Sequence, residues 1–392
     1  MSQRIVIVGG GFTGLLAARK IAAQHHPQTD ITLIDVKDHF LFTPRLVDAL
    51  STSCQSIARW CAPFAELATR YGFTFLQGRV EHVNRENKTL TVFTESTGIR
   101  TVTFDTLVLC SGVKTCYYRI AGAEAHVMPL KTVDDIDHIQ QRAHTLLQQA
   151  QTATSSEDKR RLLSFIVVGA GPSGVEGIFS LQQYVKNWCK DHAPELVTYL
   201  TFSLIQAGPQ ILPGFPLKIV NLMTIELQRQ SIRIFLGEAV IDVSADAIST
   251  SLKHVLPASL VIWTAGIEPN KVTMDPEAHR DRIGYFIVDR FLQVEPSIFA
   301  AGDTVLYREH NQIIPRNAQT AIMMGRALGN NISRLLQHQS LKPFTYRSKG
   351  NILVVGKTGY LDLKLFSIKS RFAPLIRDIF YRFRFWQITG KF

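Results

Sequence analysis

Two stretches of this chain carry glycines at the spacing of a phosphate-cradling turn. Gly9, Gly11 and Gly14 fall in I-V-I-V-G-G-G-F-T-G-L (5–15), and Gly169, Gly171 and Gly174 in I-V-V-G-A-G-P-S-G-V (166–175). In such a loop the first glycine makes the tight turn, the second lets the backbone approach a pyrophosphate, and the third lets helix and strand pack closely. The N-terminus of the next helix adds N–H donors and positive dipole. Asp35 closes the strand Asp30–Ile34 about twenty residues past the first loop, where a carboxylate binds a ribose hydroxyl. Gln206 holds the matching place after the second loop, at the end of Leu200–Ile205, and is neutral. Two more strands end on small or acidic residues: F-D-T-L-V-L-C-S-G on Gly112, and S-I-F-A-A-G-D-T on Gly302 and Asp303. Ends of this kind are where open parallel sheets bind ligands.

The elements that must position these residues follow from the flanking sequence. Each loop comes after a buried-type strand, Ile5–Val8 or Phe165–Val168, and leads into an apolar-periodic helix. That context predicts an α/β fold with two Rossmann-like dinucleotide-binding domains, and the paired loops are the one internal repeat in view. With 392 residues, 46% of them apolar, the chain can build two or three full-sized cores. The polar run Gln148–Arg161 (Q-Q-A-Q-T-A-T-S-S-E-D-K-R-R) reads as a solvated loop on the crossing into the second domain.

Charge and cysteine usage narrow the setting. The formal charge is +11, and in residues 342–392 eleven basic residues stand against only Asp362 and Asp378. Within R-F-A-P-L-I-R-D-I-F-Y-R-F-R-F-W (371–386), Phe372, Leu375, Ile376, Ile379, Phe380, Phe383 and Trp386 recur at helical spacing, with Arg371, Asp378 and Arg382 on another face. The pattern predicts an interfacial helix on an anionic membrane surface, separate from both glycine loops. The alternative packs the same helix on its own domain or on a second copy in a homodimer. Nucleic acid is the weaker reading of the charge, because no recognised binding motif accompanies the aromatic stripe. Cys54, Cys61, Cys110, Cys116 and Cys189 are an odd set without metal-ligand spacing, which fits a reducing compartment. The first strand begins almost at once and no eighteen apolar residues run together, so neither export nor a membrane span is expected.

The order G-G-G-F-T-G, F-D-T-L-V-L-C-S-G, P-L-K-T-V-D-D, G-A-G-P-S-G-V-E, W-T-A-G-I-E-P-N, F-A-A-G-D-T, A-Q-T-A-I-M-M-G resembles the two-dinucleotide-binding-domain flavoproteins of the pyridine nucleotide-disulfide oxidoreductase superfamily, and within them the type II NADH:quinone dehydrogenases. The resemblance covers nearly the whole chain. It implies FAD in the first loop and the nicotinamide nucleotide in the second, the second domain being inserted in the first. The implied division is 1–125 and 271–341 for FAD, 126–270 for NAD(P)H, and 342–392 for a small basic membrane-docking segment. The implied activity passes hydride from NADH to FAD and two electrons on to a membrane quinone, without proton pumping, at the inner, cytoplasmic face of the cell membrane. A soluble NAD(P)H-dependent flavoprotein reductase serving a protein carrier, and an apoptosis-inducing-factor-like nucleotide-binding module, are the alternatives.

Site residues carry over by motif. Glu176, in G-V-E, matches the family's acidic residue beside nicotinamide and flavin; as an acid early in a helix it would equally cap the N-terminus. Gln319, in A-Q-T-A, matches the first glutamine of a quinone-binding segment, but Met323 and Met324 stand where Gln-Gln is expected and predict a softer, apolar slot. Disulfide reductases of the superfamily use C-x4-C, whereas Cys54 and Cys61 are spaced C-x6-C and read as packing thiols, as do Cys110 and Cys116. Sulfide:quinone relatives need a late cysteine, and none follows Cys189. Gln206 lacks the charge that repels a 2′-phosphate, and no arginine follows in A-G-P-Q-I-L-P-G-F-P, so NADH is preferred weakly and NADPH accepted.

Overall fold

The computed structural model describes residues 2–310, 312–356, 358–362 and 367–391. Lys357 and Lys364 of the basic C-terminal set, and the side chain of Cys54, lie outside the described residues. Short uninterrupted apolar runs form strands buried on both faces, as a parallel sheet covered by helices requires. The first half of the chain gives β1 (Gln3–Val8), α1 (Phe12–Ala22), β2 (Thr29–Asp35), α2 (Leu46–Ser51), α3 (Phe64–Tyr71), β3 (Thr74–Gln77) and β4 (Thr106–Leu109). After a crossing come α4 (Val133–Thr152), β5 (Ser164–Val168), α5 (Pro172–His192), β6 (Thr201–Gln206), β7 (Ile232–Leu236) and β8 (Leu260–Trp263). The chain then supplies β9 (Ile298–Ala300), α6 (Ala318–Leu336), a small antiparallel sheet from Asn351 to Ser370, and α7 (Ala373–Thr389).

Two sheets result. One has the order Gln293–Glu295, β9, β4, β1, β2, β3, parallel except at the Gln293–Glu295 edge. The other runs Met128–Pro129, β8, β5, β6, β7, parallel throughout. Because β9 pairs with β4, Ile298 opposite Leu107, the second sheet is inserted within the first. The two crossing segments pair with each other, Val113–Thr115 antiparallel to Ile267–Pro269. Helix α6 lies against α1 with almost no gap, since a Cβ on Gly325 would fall 2.5 Å from the Thr13 carbonyl oxygen. That packing brings the first turns of two helices distant in sequence to one place.

The polar run 148–161 is not a loop. Residues 148–152 are the last turn and a half of α4, and Ser156–Leu162 forms a further helix. The Ser155 hydroxyl accepts from the Asp158 N–H (3.1 Å), acids fill the first turn and bases the last, so capping and charge make a helix where apolar periodicity is lacking.

Candidate functional site

The two glycine loops have one geometry. Gly9 and Gly169 sit at φ +99° and +98°, which favours glycine, and a Cβ there would lie 2.2 Å from the Cys110 oxygen and 2.7 Å from the Ala265 nitrogen. A Cβ on Gly14 or Gly174 would lie 1.9 or 1.8 Å from the carbonyl oxygen of Gly9 or Gly169. By contrast no atom lies within 4 Å of a Cβ placed on Gly11 or Gly171. These two positions therefore face open space at the N-termini of α1 and α5, neither of which has a side-chain cap or an acid in its first turn. Uncapped N–H groups beside an open glycine are what a pyrophosphate needs.

Asp35 and Gln206 occupy equivalent posts. Asp35 accepts from the Gly10 N–H (2.6 Å) and the Lys37 N–H (2.8 Å), and Gln206 Oε1 accepts from the Ala170 N–H (2.8 Å). Each side chain thus latches its loop from the neighbouring strand end. With its oxygen committed to Ala170, the Gln206 amide is left with its Nε2 pole, on the Gly208 side.

Late residues complete the first site. Gly302, at φ +81°, lies beside Thr13 of α1 and donates its N–H to the Met324 sulfur at 3.2 Å. Met324 is buried in this contact, whereas its neighbour Met323 is part-exposed. Asp303 Oδ1 is buried without a partner among the described residues. Burial raises the Asp303 pKa, opposed by the charges of Lys131 and Arg316. Gly112, at φ +68°, accepts at its carbonyl from the Asn270 N–H (3.1 Å), and Asn270 Nδ2 donates to the Ser111 oxygen (2.6 Å), tying the two crossing segments together. An orphaned buried carboxylate oxygen at the end of an open pyrophosphate cradle fits a dinucleotide with a polyhydroxyl chain, such as FAD. Lys131 lies in the P-L-K-T-V-D-D motif without its role being readable there, and Arg316 carried no signal in spacing or periodicity.

Glu176 does not cap α5. It lies past the first turn, accepting at Oε1 from the Val354 N–H (2.7 Å) and from Arg377 Nη1 of α7 (2.9 Å). Arg377 also pairs with Asp48, and Arg45 joins Asp48 to Asp378, so one network of opposite charges runs from α5 through α2 into α7. Burial pushes the Glu176 carboxyl up to about 7 against the pull of Arg377. Gln319 sits in the first turn of α6 and donates from Nε2 to the Arg347 oxygen at 3.2 Å. Both residues reach the C-terminal segment, at Val354 and Arg377 for Glu176 and at Arg347 for Gln319.

Helix α7 is not separate from the glycine loops. Phe385 enters an aromatic cluster with Phe40, Phe42 and Trp60, and Phe42 touches Phe12, the residue after Gly11. The seven apolar residues Phe372, Leu375, Ile376, Ile379, Phe380, Phe383 and Trp386 are 39–59% exposed, while Arg377 and Phe385 on the opposite face are buried. No described helix is long and apolar enough to cross a membrane. Cys61, Cys110, Cys116 and Cys189 are free, and burial raises the pKa of Cys61, Cys110 and Cys189, which is the behaviour of packing thiols.

With this geometry in hand, comparison with known proteins is informative. The chain is 26% identical to the type II NADH:quinone oxidoreductase Ndh of Mycobacterium tuberculosis, over 98% of this chain and 83% of that protein. It is 25% identical to the mitochondrial external alternative NAD(P)H-ubiquinone oxidoreductase B4 of Arabidopsis thaliana, over 77% of this chain but only 54% of the plant protein, about half its length. The solved structure of NDH2 from Plasmodium falciparum in complex with NADH has the same fold, with a TM-score of 0.88 at 20% identity, covering 100% of this chain and 98% of that one. The pyridine nucleotide-disulphide oxidoreductase pattern matches residues 3–325, and the chain belongs to that family.

Proposed function

We propose that the protein is an FAD-dependent NAD(P)H:quinone oxidoreductase of the type II kind, acting on a membrane quinone. The observation that carries this reading is the pair of open glycine loops of matching geometry on two sheets, of which, among the described residues, the first alone has a buried, unpartnered carboxylate oxygen, that of Asp303. FAD supplies hydride acceptance from the nicotinamide and two-electron delivery to the quinone. The chain's own residues bind and orient. Gly11 and the α1 N–H groups would receive the FAD pyrophosphate, Asp35 would bind a ribose hydroxyl, Gly112 would border the cofactor, and Asp303 would take a hydroxyl of the flavin chain, with Gly302 beside it. Gly171 and the α5 N–H groups receive NADH, with Gln206 at the ribose. Glu176 sits where α5, α2 and α7 meet, and holds or releases a proton there. Gln319 borders the acceptor, with Met323 as the apolar member of its slot.

The four-part division 1–125, 126–270, 271–341 and 342–392 is supported by sheet membership on either side of the paired crossings. The exposed apolar face of α7 supports peripheral attachment to the inner face of an anionic membrane, a homodimer through that face being the competing arrangement. The test is steady-state NADH oxidation by the purified yellow protein against a panel of quinones. A quinone-stimulated rate far above the rate with oxygen is expected, and nucleotide binding without turnover would refute the assignment.

A further inference from the structure

Four arginines gather at the last turn of α7. Arg19 of α1 donates from Nη1 to the carbonyl oxygens of Gln387 (2.5 Å) and Ile388, and Arg70 of α3 to those of Thr389 (3.3 Å) and Gly390 (2.7 Å). These two answer carbonyls that a helix end leaves unpaired, and the partial negative charge they carry. Arg326 of α6 and Arg384 of α7 do something different. Both donate to the same atom, Gln387 Oε1, at 3.3 and 2.9 Å.

A neutral amide oxygen thus holds two guanidiniums together where a carboxylate would be the ordinary partner. No carboxylate pairs with any of the four arginines among the described residues; the nearby Glu66 is taken by Lys391. Burial lowers the pKa of Arg384 with Arg326 adding to it, and burial lowers that of Arg19 with Arg70 and Arg326 contributing. The positive charge is therefore crowded and only partly answered by the helix end, while each fork retains donors beyond those it uses here. Position supplies the second half of the argument. The Arg384 guanidinium lies 4.9 Å from the Phe380 ring centre, and Phe380, Phe383 and Trp386 belong to the exposed apolar face. Arg384 thus borders that face and joins it to the arginines gathered at Gln387, where the headgroup of a seated interfacial helix would be met.

We propose that Arg326, Arg384 and Arg19, gathered around Gln387, form a cradle for the phosphodiester of an anionic phospholipid, so that one lipid is bound by fork geometry as well as by charge. The proposal rests on the membrane-docking reading above. Planar guanidiniums grip phosphate oxygens bidentately, which an ammonium cannot do, so Arg→Lys separates a built site from smeared surface charge.

The experiment is flotation of the intact protein with vesicles of phosphatidylcholine alone or doped with phosphatidylglycerol. It compares wild type with Arg326→Lys, Arg384→Lys and, as a control outside the cradle, Arg371→Lys, with melting curves to verify folding. Affinity for the phosphatidylglycerol vesicles is expected to fall about tenfold in the two cradle variants and to stay unchanged in the control. Cradle variants that bind as wild type does overturn the proposal while leaving docking intact. A wild type that floats with neither vesicle overturns the docking reading, and the cradle with it. A rise in wild-type melting temperature with inorganic phosphate, absent in Arg326→Lys and without preference for phosphatidylglycerol, assigns the cradle to a soluble anion and overturns the lipid.

Discussion

At the residue scale the informative positions are those where something is left over. Gly11 has empty space where a Cβ would stand, so Gly11→Val places a side chain in the pyrophosphate's approach without disturbing the packed glycines beside it. The variant is expected to fold, by its melting curve, yet to purify without the flavin absorbance of wild type. Gln206 spends its oxygen on Ala170 and keeps an amide pole that does not repel a 2′-phosphate. Gln206→Glu keeps the latch and adds repulsion, so the specificity constant for NADPH should fall about tenfold, ~1.4 kcal/mol, with little change for NADH. Paired titrations check it, and a wild type that already rejects NADPH as strongly as the variant would place discrimination elsewhere. Glu176 has a carboxyl pushed from its ordinary 4.5 to about 7. Between those values the folded state holds a proton that the unfolded state has lost, so stability falls as pH rises and levels off above about 7, by an amount on the order of 3 kcal/mol. In Glu176→Gln that slope should vanish, and melting curves that run parallel from acid to neutral pH would show that the carboxyl does not titrate there. Asp35 and Gln206 were legible because each closes the apolar strand that follows its glycine loop, although the intervening helices differ in length. Lys131 and Asn270 lay inside quoted motifs but their partners could not be read there, and Arg316 lay in none, because each acts across a gap in sequence that no period spans.

At the scale of elements, α7 shows which part of a pattern the sequence reveals. Its apolar stripe was plain at helical spacing and pointed to an interfacial helix; what holds the other face was not. The stripe is exposed, and the buried side carries Arg377, whose partner Glu176 lies 201 residues earlier. Only tertiary contact could make a buried arginine tolerable. The two faces should separate by mutation. Phe385→Ala removes a ring from the cluster around Phe42 and Trp60 and should destabilise by about 3–5 kcal/mol. Phe383→Ala, on the exposed face, should leave the melting temperature nearly unchanged while weakening vesicle binding. Equal effects of the two on stability would mean that the exposed face is covered. The 148–161 segment shows the reverse limit: Ser155 and the charge order around it were written in the sequence, but a helix without an apolar stripe is easily taken for a loop.

For the whole molecule, α7 behaves as a strap. Its N-terminal part is tied to α5 by Arg377 and its end to α1 and α3 by Arg19 and Arg70, so it spans both nucleotide-binding units. Removing residues 371–392 is expected to release the protein from membranes and also to lower its reduction of a small soluble acceptor, because Glu176 and the cluster next to Phe12 lose their cover. Full activity in a truncated, soluble protein would show the strap to be dispensable. The interleaving of β9 with β4 bears on how the chain comes into being. During synthesis β1, β2, β3 and β4 leave the ribosome first, yet β4 keeps an unpaired edge until β9 arrives, after the whole second sheet has been made. The nascent first unit therefore waits, half-built, with a sticky edge exposed, and Asp303 arrives only as that edge is closed. On the proposed role of Asp303, flavin capture would then be completed late in the making of each molecule, and shortage of flavin would be felt by nearly finished chains.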